Sequence, residues 1–397
     1  MPASQNQVLY PKFYRDFSCI GPNCEHHCCQ SWRITIDKKT YKIYKKSTDP
    51  VLRDITRNQM SRPRQQTDHE YRLINLKSDS SCPLQNKDGT CYIHCNHGEK
   101  LLSATCKTYP RQTKSLTGKI EPSLSLSCPE AARKILLDPS AMMFETDPEA
   151  KIESGLILST YNNVPDHFDA FRQTAFQAVL GEEECPDERL FHLGALFSLV
   201  AKRENSGDIL AACQTFFQMR EDKLLNRMYA EATPNIKGQA HLLKQLMEKL
   251  QFFKHNKVLE GYHQQFVDNL KEKFGEHGSV NMEQLLADRQ QHYTPLIEDC
   301  GHGLVNMMLH WLYTSDICHK TGEELLAGYA EFTLKYILIR FYLQMLAEPG
   351  HYKELLVGIV HSMSRSADHN QEYLKSLHAN TVLMKLGSHA QIMSLLK

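Results

Sequence analysis

The sequence is more informative at first for what it is missing. It has no excess of either charge, with 46 Lys+Arg facing 46 Asp+Glu, so it lacks the concentrated basic face of a nucleic-acid binder. No long apolar run is free of charge: the most apolar stretch, Leu325–Leu346, contains Glu331, Lys335 and Arg340 and reads as a buried helix, not a membrane span. The opening residues, MPASQNQVLYPKFYRDF, hold no apolar core and no small-residue cleavage site. A soluble, cytoplasmic protein with no membrane segment is expected. Alternating β-branched runs are few, so no large sheet is anticipated. A Gly-rich turn between strand and helix, the mark of a doubly wound nucleotide-binding domain, is also missing. The G-x-G at Gly301-His302-Gly303 follows no good strand.

What is present is cysteine, and its distribution is lopsided. Nine of the 13 cysteines, Cys19, Cys24, Cys28, Cys29, Cys82, Cys91, Cys95, Cys106 and Cys128, lie in the first 128 residues. Disulfide stapling fits poorly with an odd count, no export signal and a chain long enough to fold without staples. The spacing instead suits a metal. Cys24-x3-Cys28-Cys29 and Cys82-x8-Cys91-x3-Cys95 each supply thiols from one loop, and Cys106 and Cys128 are placed to close the site. Thiolates are soft, charged donors whose protons a metal displaces. Gly21, Pro22, Pro83 and Gly89 permit the sharp turns that bring sulfurs together. The pattern is neither a zinc-ribbon CxxC pair nor a C-x3-C-x2-C triad, because Cys29 follows Cys28 directly. From spacing alone iron–sulfur, zinc and plain structural thiols all stand, with iron–sulfur first. His26, His27, His94 and His97 lie among the cysteines as alternative ligands. Cys185, Cys213, Cys300 and Cys318 read as buried small hydrophobes.

Around the cysteines, Trp32–Asp37 and Tyr71–Leu76 alternate like short strands, and Lys38–Asn58 reads as helix broken near Pro50. Arg33–Arg72 carries 11 Lys+Arg against five Asp+Glu. That is a solvated helix face or, less simply, a docking surface for an acidic partner. Beyond residue 130 the period becomes helical. Leu242, Leu243, Leu246, Met247, Leu250 and Phe253 share a face, and Glu188–Arg203, Leu304–Tyr313 and Lys353–Met363 read as helices. Thr321-x-x-Glu324 predicts a capping box opening a long helix that Pro349-Gly350 ends. Breaks are read at Pro186, Ser206-Gly207, Pro234 and Gly275–Gly278, and the acidic run Glu182–Glu184 as solvated charge. The expected fold is mainly α: a small cysteine-rich metal-binding domain with short strands over 1–135, then a large all-α domain over 136–397.

Four stretches in order, FSCIGPNCEHHCCQSWRITIDKKTY (Phe17–Tyr41), SCPLQNKDGTCYI (Ser81–Ile93), LLSATCKTYPR (Leu101–Arg111) and SLSLSCPEAAR (Ser123–Arg133), resemble the flagellin lysine-N-methylase family. GLVNMMLHWLY (Gly303–Tyr313) resembles it loosely. The resemblance implies methyl transfer from S-adenosylmethionine to lysine ε-amino groups of flagellin, assisted by a [4Fe–4S] cluster, with zinc as the alternative metal. It carries over Cys24, Cys28, Cys29, Cys82, Cys91 and Cys106 as metal ligands, with Cys19 and Cys128 next. A cubane needs four, so at least two of the six have another role. A non-enzymatic zinc-stabilised interaction module and a redox iron–sulfur protein are the competing readings.

Overall fold

The computed structural model describes residues 9–30, 34–117, 119–146, 156–181, 184–248, 256–274, 289–367 and 388–397. Trp32, Glu182, Glu183, Leu250, Phe253 and the Gly275–Gly278 break lie outside these residues. Among the described residues the chain is mainly helical, with short strands confined to those up to residue 161.

Strand β1 (Leu9–Pro11) runs into α1 (Lys12–Arg15). Then come β2 (Thr35–Ile36), α2 (Lys38–Lys46), α3 (Pro50–Asn58), β3 (Met60–Ser61) and β4 (Arg72–Ile74). β4 is the centre of a three-stranded antiparallel sheet, with Thr35 opposite Leu73 and Met60 opposite Ile74. The break near Pro50 separates α2 from α3. Asp49 there accepts the Val51 and Leu52 N–H groups at 2.7 and 3.2 Å, and Pro50 takes the first helical position, where no N–H is needed. α2 buries Thr40 and Tyr44, while Lys39, Lys42, Lys45 and Lys46 point to solvent, so this basic stretch is largely a solvated face.

α4 (Tyr92–His97), α5 (Ala104–Thr108), a hairpin of β5 (Arg111–Leu116) and β6 (Lys119–Leu124), α6 (Pro129–Leu137), β7 (Phe144–Thr146) and β8 (Leu156–Tyr161) follow. β8 pairs parallel to β5, and β7 antiparallel to β1. The hairpin escapes sequence reading because two of its inward side chains are charged. Lys114 is 3 % and Glu121 6 % exposed, and they stand 3.5 Å apart, with Arg172 at 2.7 Å from the same carboxylate. Burying charges in this way requires that they be paired.

The helical body comprises α7 (Phe168–Val179), α8 (Pro186–Val200), α9 (Ser206–Glu221), α10 (Leu224–Glu231), α11 (Ile236–Glu248), α12 (Lys257–Phe274), α13 (Thr294–Cys300), α14 (His302–Thr314), α15 (Gly322–Leu346), α16 (Tyr352–Ala367) and α17 (His389–Met393). α8, α14 and most of α15 are buried on nearly all sides and form the centre. α8 and α15 touch at Gly194, where a Cβ would stand 2.4 Å from the Tyr329 hydroxyl, which itself donates to Leu190 C=O at 3.0 Å. α15 starts where expected, but Thr321 makes no side-chain cap bond, correcting the capping-box reading. Gly322 there has φ +54°, which departs from ordinary N-terminal helix geometry.

Two buried apolar clusters result. The smaller spans residues 34–93 and gathers Ile34, Ile36, Tyr44, Leu52, Ile55, Ile74 and Ile93. The larger holds the helical body together with Phe13, Phe17, Leu116, Leu124 and α6. The Gly303–Tyr313 motif joins these chain-distant parts. Asn306 donates to Ile135 and Asp138 C=O at 2.9 and 2.8 Å, satisfying carbonyls at the end of α6. One and two turns on, His310 bonds Leu124 C=O at 2.8 Å and Tyr313 donates to Pro122 C=O at 3.1 Å.

Candidate metal centre

The cysteine loops are held to one another by backbone bonds. Cys24 ends a single 3-10 turn, Gly21–Asn23, and the chain continues to Cys28 and Cys29. The Cys82 N–H donates to Cys29 C=O at 2.7 Å, and Gln30 bridges Ser81. The second loop is a tight turn closed by Gly89 N–H to Asn86 C=O at 3.1 Å and Tyr92 N–H to Leu84 C=O at 2.8 Å. Gly89 has φ +84°, and a Cβ there would lie 2.9 Å from the His27 ring, so both its conformation and its neighbour demand glycine. Cys91 immediately precedes α4, and Cys128 immediately precedes α6. Cys106 sits in the first turn of α5, which Ser103 caps. Asp37 fixes that helix against α2, accepting Thr40 N–H at 2.9 Å and Ala104 N–H at 3.0 Å.

Charge on the Cys28 sulfur would raise the pKa of Cys24, Cys29, Cys82, Cys91, Cys106 and Cys128, so the candidate ligands are electrostatically coupled. Burial is the largest cause for most of them: Cys24 and Cys82 are pushed up to about 11 and Cys106 and Cys128 to about 12, and Cys91 also rises. Nearby backbone N–H groups oppose the rise, His26 for Cys24, Leu84 for Cys82, His94 and Ile93 for Cys91, and Ala131 and Glu130 for Cys128. Cys28 itself is lowered to about 7, first by the hydrogen bond it shares with Cys29 and also by the charge of Arg365. The Cys29 thiol correspondingly keeps its proton.

Cys28 is exposed, Cys24, Cys29, Cys91 and Cys106 are half-buried, and Cys82 and Cys128 are buried. All thirteen cysteines are free thiols. Thiolates carried on loops tied to one another repel unless a cation offsets their charge, and a donor set of soft thiols suits a thiolate-bound metal or iron–sulfur group. Among the described residues no three His, Cys, Asp or Glu side chains already stand at metal-holding spacing, so the fit rests on the donor set and its electrostatics.

Cys19 and Cys95 are exposed at the margins; Cys19 accepts the Gly21 N–H at 3.4 Å. The four histidines take other partners or face water. His27 lies over Gly89, His97 bonds Asp49 at 2.7 Å, His94 is exposed, and His26 stacks on His361 with ring centroids 4.7 Å apart. Cys213, Cys300 and Cys318 are buried as expected. Cys185 is exposed, a correction that follows from its position just before α8 at the edge of a groove.

Sequence reasoning missed the part played by α16. Arg365 donates to His27 C=O at 2.9 Å, to His26 C=O at 3.4 Å and to Gln30 C=O, bracketing the Cys28–Cys29 segment. Glu25 pairs with Arg133 of α6. Nothing in the helical periodicity of 352–367 marks Arg365, because its partners are backbone carbonyls more than 330 residues away.

Two grooves open in the helical body. One of about 1130 Å³ lies among α7, α8, α9 and α14, with Met143, Phe176, Leu180 and Phe217 on its walls. The other, about 820 Å³, is walled by Tyr262, Glu272, Glu348, Glu354, His292 and His351. Tyr262 also feels the charge of Glu25, beside Cys24. Gly301-His302-Gly303 is a helix–helix junction, with His302 bonded to Leu137 C=O at 3.2 Å, and follows no strand.

A helical body clamped onto a thiol-rich module is the class of protein that the geometry defines. The model of the FliB lysine N-methylase C-terminal domain matches residues 172–395, and the chain belongs to that family. It is 24 % identical over 409 residues to a lysine-N-methylase of Salmonella choleraesuis, covering 98 % of both chains. It is 23 % identical over 406 residues to the lysine-N-methylase of Salmonella typhimurium, again covering 98 % of each. A flagellar biosynthetic protein FliU of Salmonella muenchen is 36 % identical over 135 residues, 34 % of this chain and 80 % of that protein. No solved structure matches. No helix among the described residues is long and apolar enough to cross a membrane.

Proposed function

We propose that this protein is a lysine N-methylase that transfers methyl groups from S-adenosylmethionine to lysine ε-amino groups of flagellin in the cytoplasm, with a [4Fe–4S] cluster held in its cysteine recess. The observation that carries the reading is the alignment of 98 % of the chain with lysine-N-methylases, joined to cysteine loops that backbone bonds such as Cys82 N–H to Cys29 C=O tie together.

In the reaction the ε-nitrogen, freed of its proton, attacks the methyl carbon of the sulfonium. The carbon–sulfur bond breaks, its electron pair stays on sulfur, and S-adenosylhomocysteine leaves. Cys28, Cys82, Cys91 and Cys106 are the favoured ligands. Cys29 is hydrogen-bonded to Cys28 and supports it, and Cys24 is electrostatically coupled to Cys128. Held by only three of these thiolates, a cluster would leave one iron open, which would supply coordination positions for the amine and carboxylate of the methyl donor. The backbone N–H groups beside the thiols offset the negative charge gathered in the recess.

The test is incubation of anaerobically purified protein with flagellin and isotopically methyl-labelled S-adenosylmethionine, followed by peptide mass spectrometry. Label on lysine, lost in a folded Cys82→Ser/Cys106→Ser variant, supports the proposal. Label retained in metal-free protein removes the cluster from the mechanism, and no label on any lysine overturns the activity.

A further inference from the structure

We infer that Arg365, on the helix α16 that belongs to the matched C-terminal domain, is the positioning residue through which the helical body sets the geometry of the cysteine recess. The inference deepens the proposed function and rests on the recess holding a metal.

The loop from Cys24 to Gln30 is gripped from two sides. On one side the small module holds it, through Cys82 N–H to Cys29 C=O at 2.7 Å and through His27 seated on Gly89. On the other, α16 and α6 hold it. The Arg365 fork reaches the carbonyls of His26, His27 and Gln30, which flank Cys28 and Cys29. One turn earlier on α16, His361 lies 1 % exposed and stacks on His26. Burial keeps His361 neutral, so this contact is ring on ring. The Glu25–Arg133 pair is a third attachment.

The direction of the Arg365 contacts decides what they do. Each peptide unit is planar, so holding a carbonyl oxygen also directs the following N–H and places the next Cα, from which the thiol side chain projects. Holding the carbonyls of His27 and Gln30 therefore constrains the entry and exit of the dipeptide that carries two thiols. A planar guanidinium can serve several acceptors at once, which a lysine ammonium on a flexible stem reproduces poorly. Among the described residues no carboxylate pairs with Arg365, and its guanidinium is committed to the loop carbonyls. Metal retention and seating of α16 are thus coupled through one side chain.

The experiment compares wild type, Arg365→Lys and Arg365→Gln as full-length protein. Hydrogen–deuterium exchange is measured on metal-free samples, and bound iron or zinc is measured after anaerobic reconstitution and desalting. For Arg365→Gln we expect amide exchange over residues 24–30 to rise about tenfold or more, exchange within α8 and α15 to stay unchanged, and retained metal to fall below about half of wild type. Arg365→Lys should remain folded and fall between the two. Full metal retention with unchanged exchange over 24–30 in either variant overturns the inference. An exchange increase spread equally over α8 and α15 also overturns it, because that is general destabilisation. Wild type that retains neither iron nor zinc overturns the metal reading instead, and exchange over 24–30 then decides the clamp by itself.

Discussion

Arg340 lies in the middle of the most apolar helix, and its removal provides a sharp test of how the body is held. The side chain is 1 % exposed and donates from one nitrogen to Asp187 at 3.1 Å and to Leu396 C=O at 3.1 Å, and from another to Leu395 C=O at 3.0 Å. It thereby joins α15, the start of α8 and the C-terminal residues. Arg340→Met keeps volume and helix propensity but removes the guanidinium from the Asp187 carboxylate, itself 1 % exposed. Breaking a buried pair by removing one partner costs about 3–5 kcal/mol. The Asp187 carboxylate sits in the first turn of α8, where the helix dipole returns about 1 kcal/mol. A net loss of about 3 kcal/mol is expected, plus loosening of the Leu395–Leu396 end. Arg340→Met/Asp187→Leu should recover at least about half of it, since the buried carboxylate is then removed together with the guanidinium. Equilibrium urea denaturation of the four members of the cycle reads this directly. Single variants within about 0.5 kcal/mol of wild type, or a double variant as unstable as the sum of the singles, would refute the reasoning.

Three further outcomes follow from the geometry. His192 and His263 are 2 % and 0 % exposed, and burial lowers each pKa to about 4. The unfolded chain takes up their protons near pH 6.5, so their contribution is fully present above that pH and is lost as pH falls toward 4. That predicts a loss of about 2 kcal/mol per histidine between pH 7 and 5, which His263→Gln should halve; urea midpoints independent of pH in this window contradict it. Gly89→Ala should cost about 1–2 kcal/mol and more than Gly98→Ala, because Gly98 also has positive φ but open space around it; equal melting temperatures would show that His27 yields freely. Cys106→Ser should abolish metal retention while Cys95→Ser leaves it near wild type, since Cys95 is exposed at the margin; metal analysis in the reverse order would move the site to the other face of α4.

The sequence announces the fold where local rules act alone. Asp49-Pro50 marks the α2–α3 break because an N-cap and a first-turn proline are both local signals. The cysteine groups are visible because thiols are scarce elsewhere in the chain. The β5–β6 hairpin is hidden because Lys114 and Glu121 sit where apolar residues are expected, and only Arg172, far along the chain, makes their burial tolerable. Arg365 is hidden for the same reason, since it recognises backbone and leaves no periodic trace. Asn306, His310 and Tyr313 look like polar interruptions of an apolar helix until α6 and β6 supply their carbonyl partners. Sequence periodicity identifies the elements, and long-range hydrogen bonding decides how they are joined.

Whether the cysteine segment holds a cluster is decided on one sample: protein purified without oxygen, with an ultraviolet–visible spectrum and iron, sulfide and zinc measured on the same fraction. A [4Fe–4S] site gives about four iron and four sulfide per chain with a broad absorption near roughly 400 nm. Stoichiometric zinc with neither iron nor sulfide would contradict the cluster, and a chain free of all three would contradict the metal site itself.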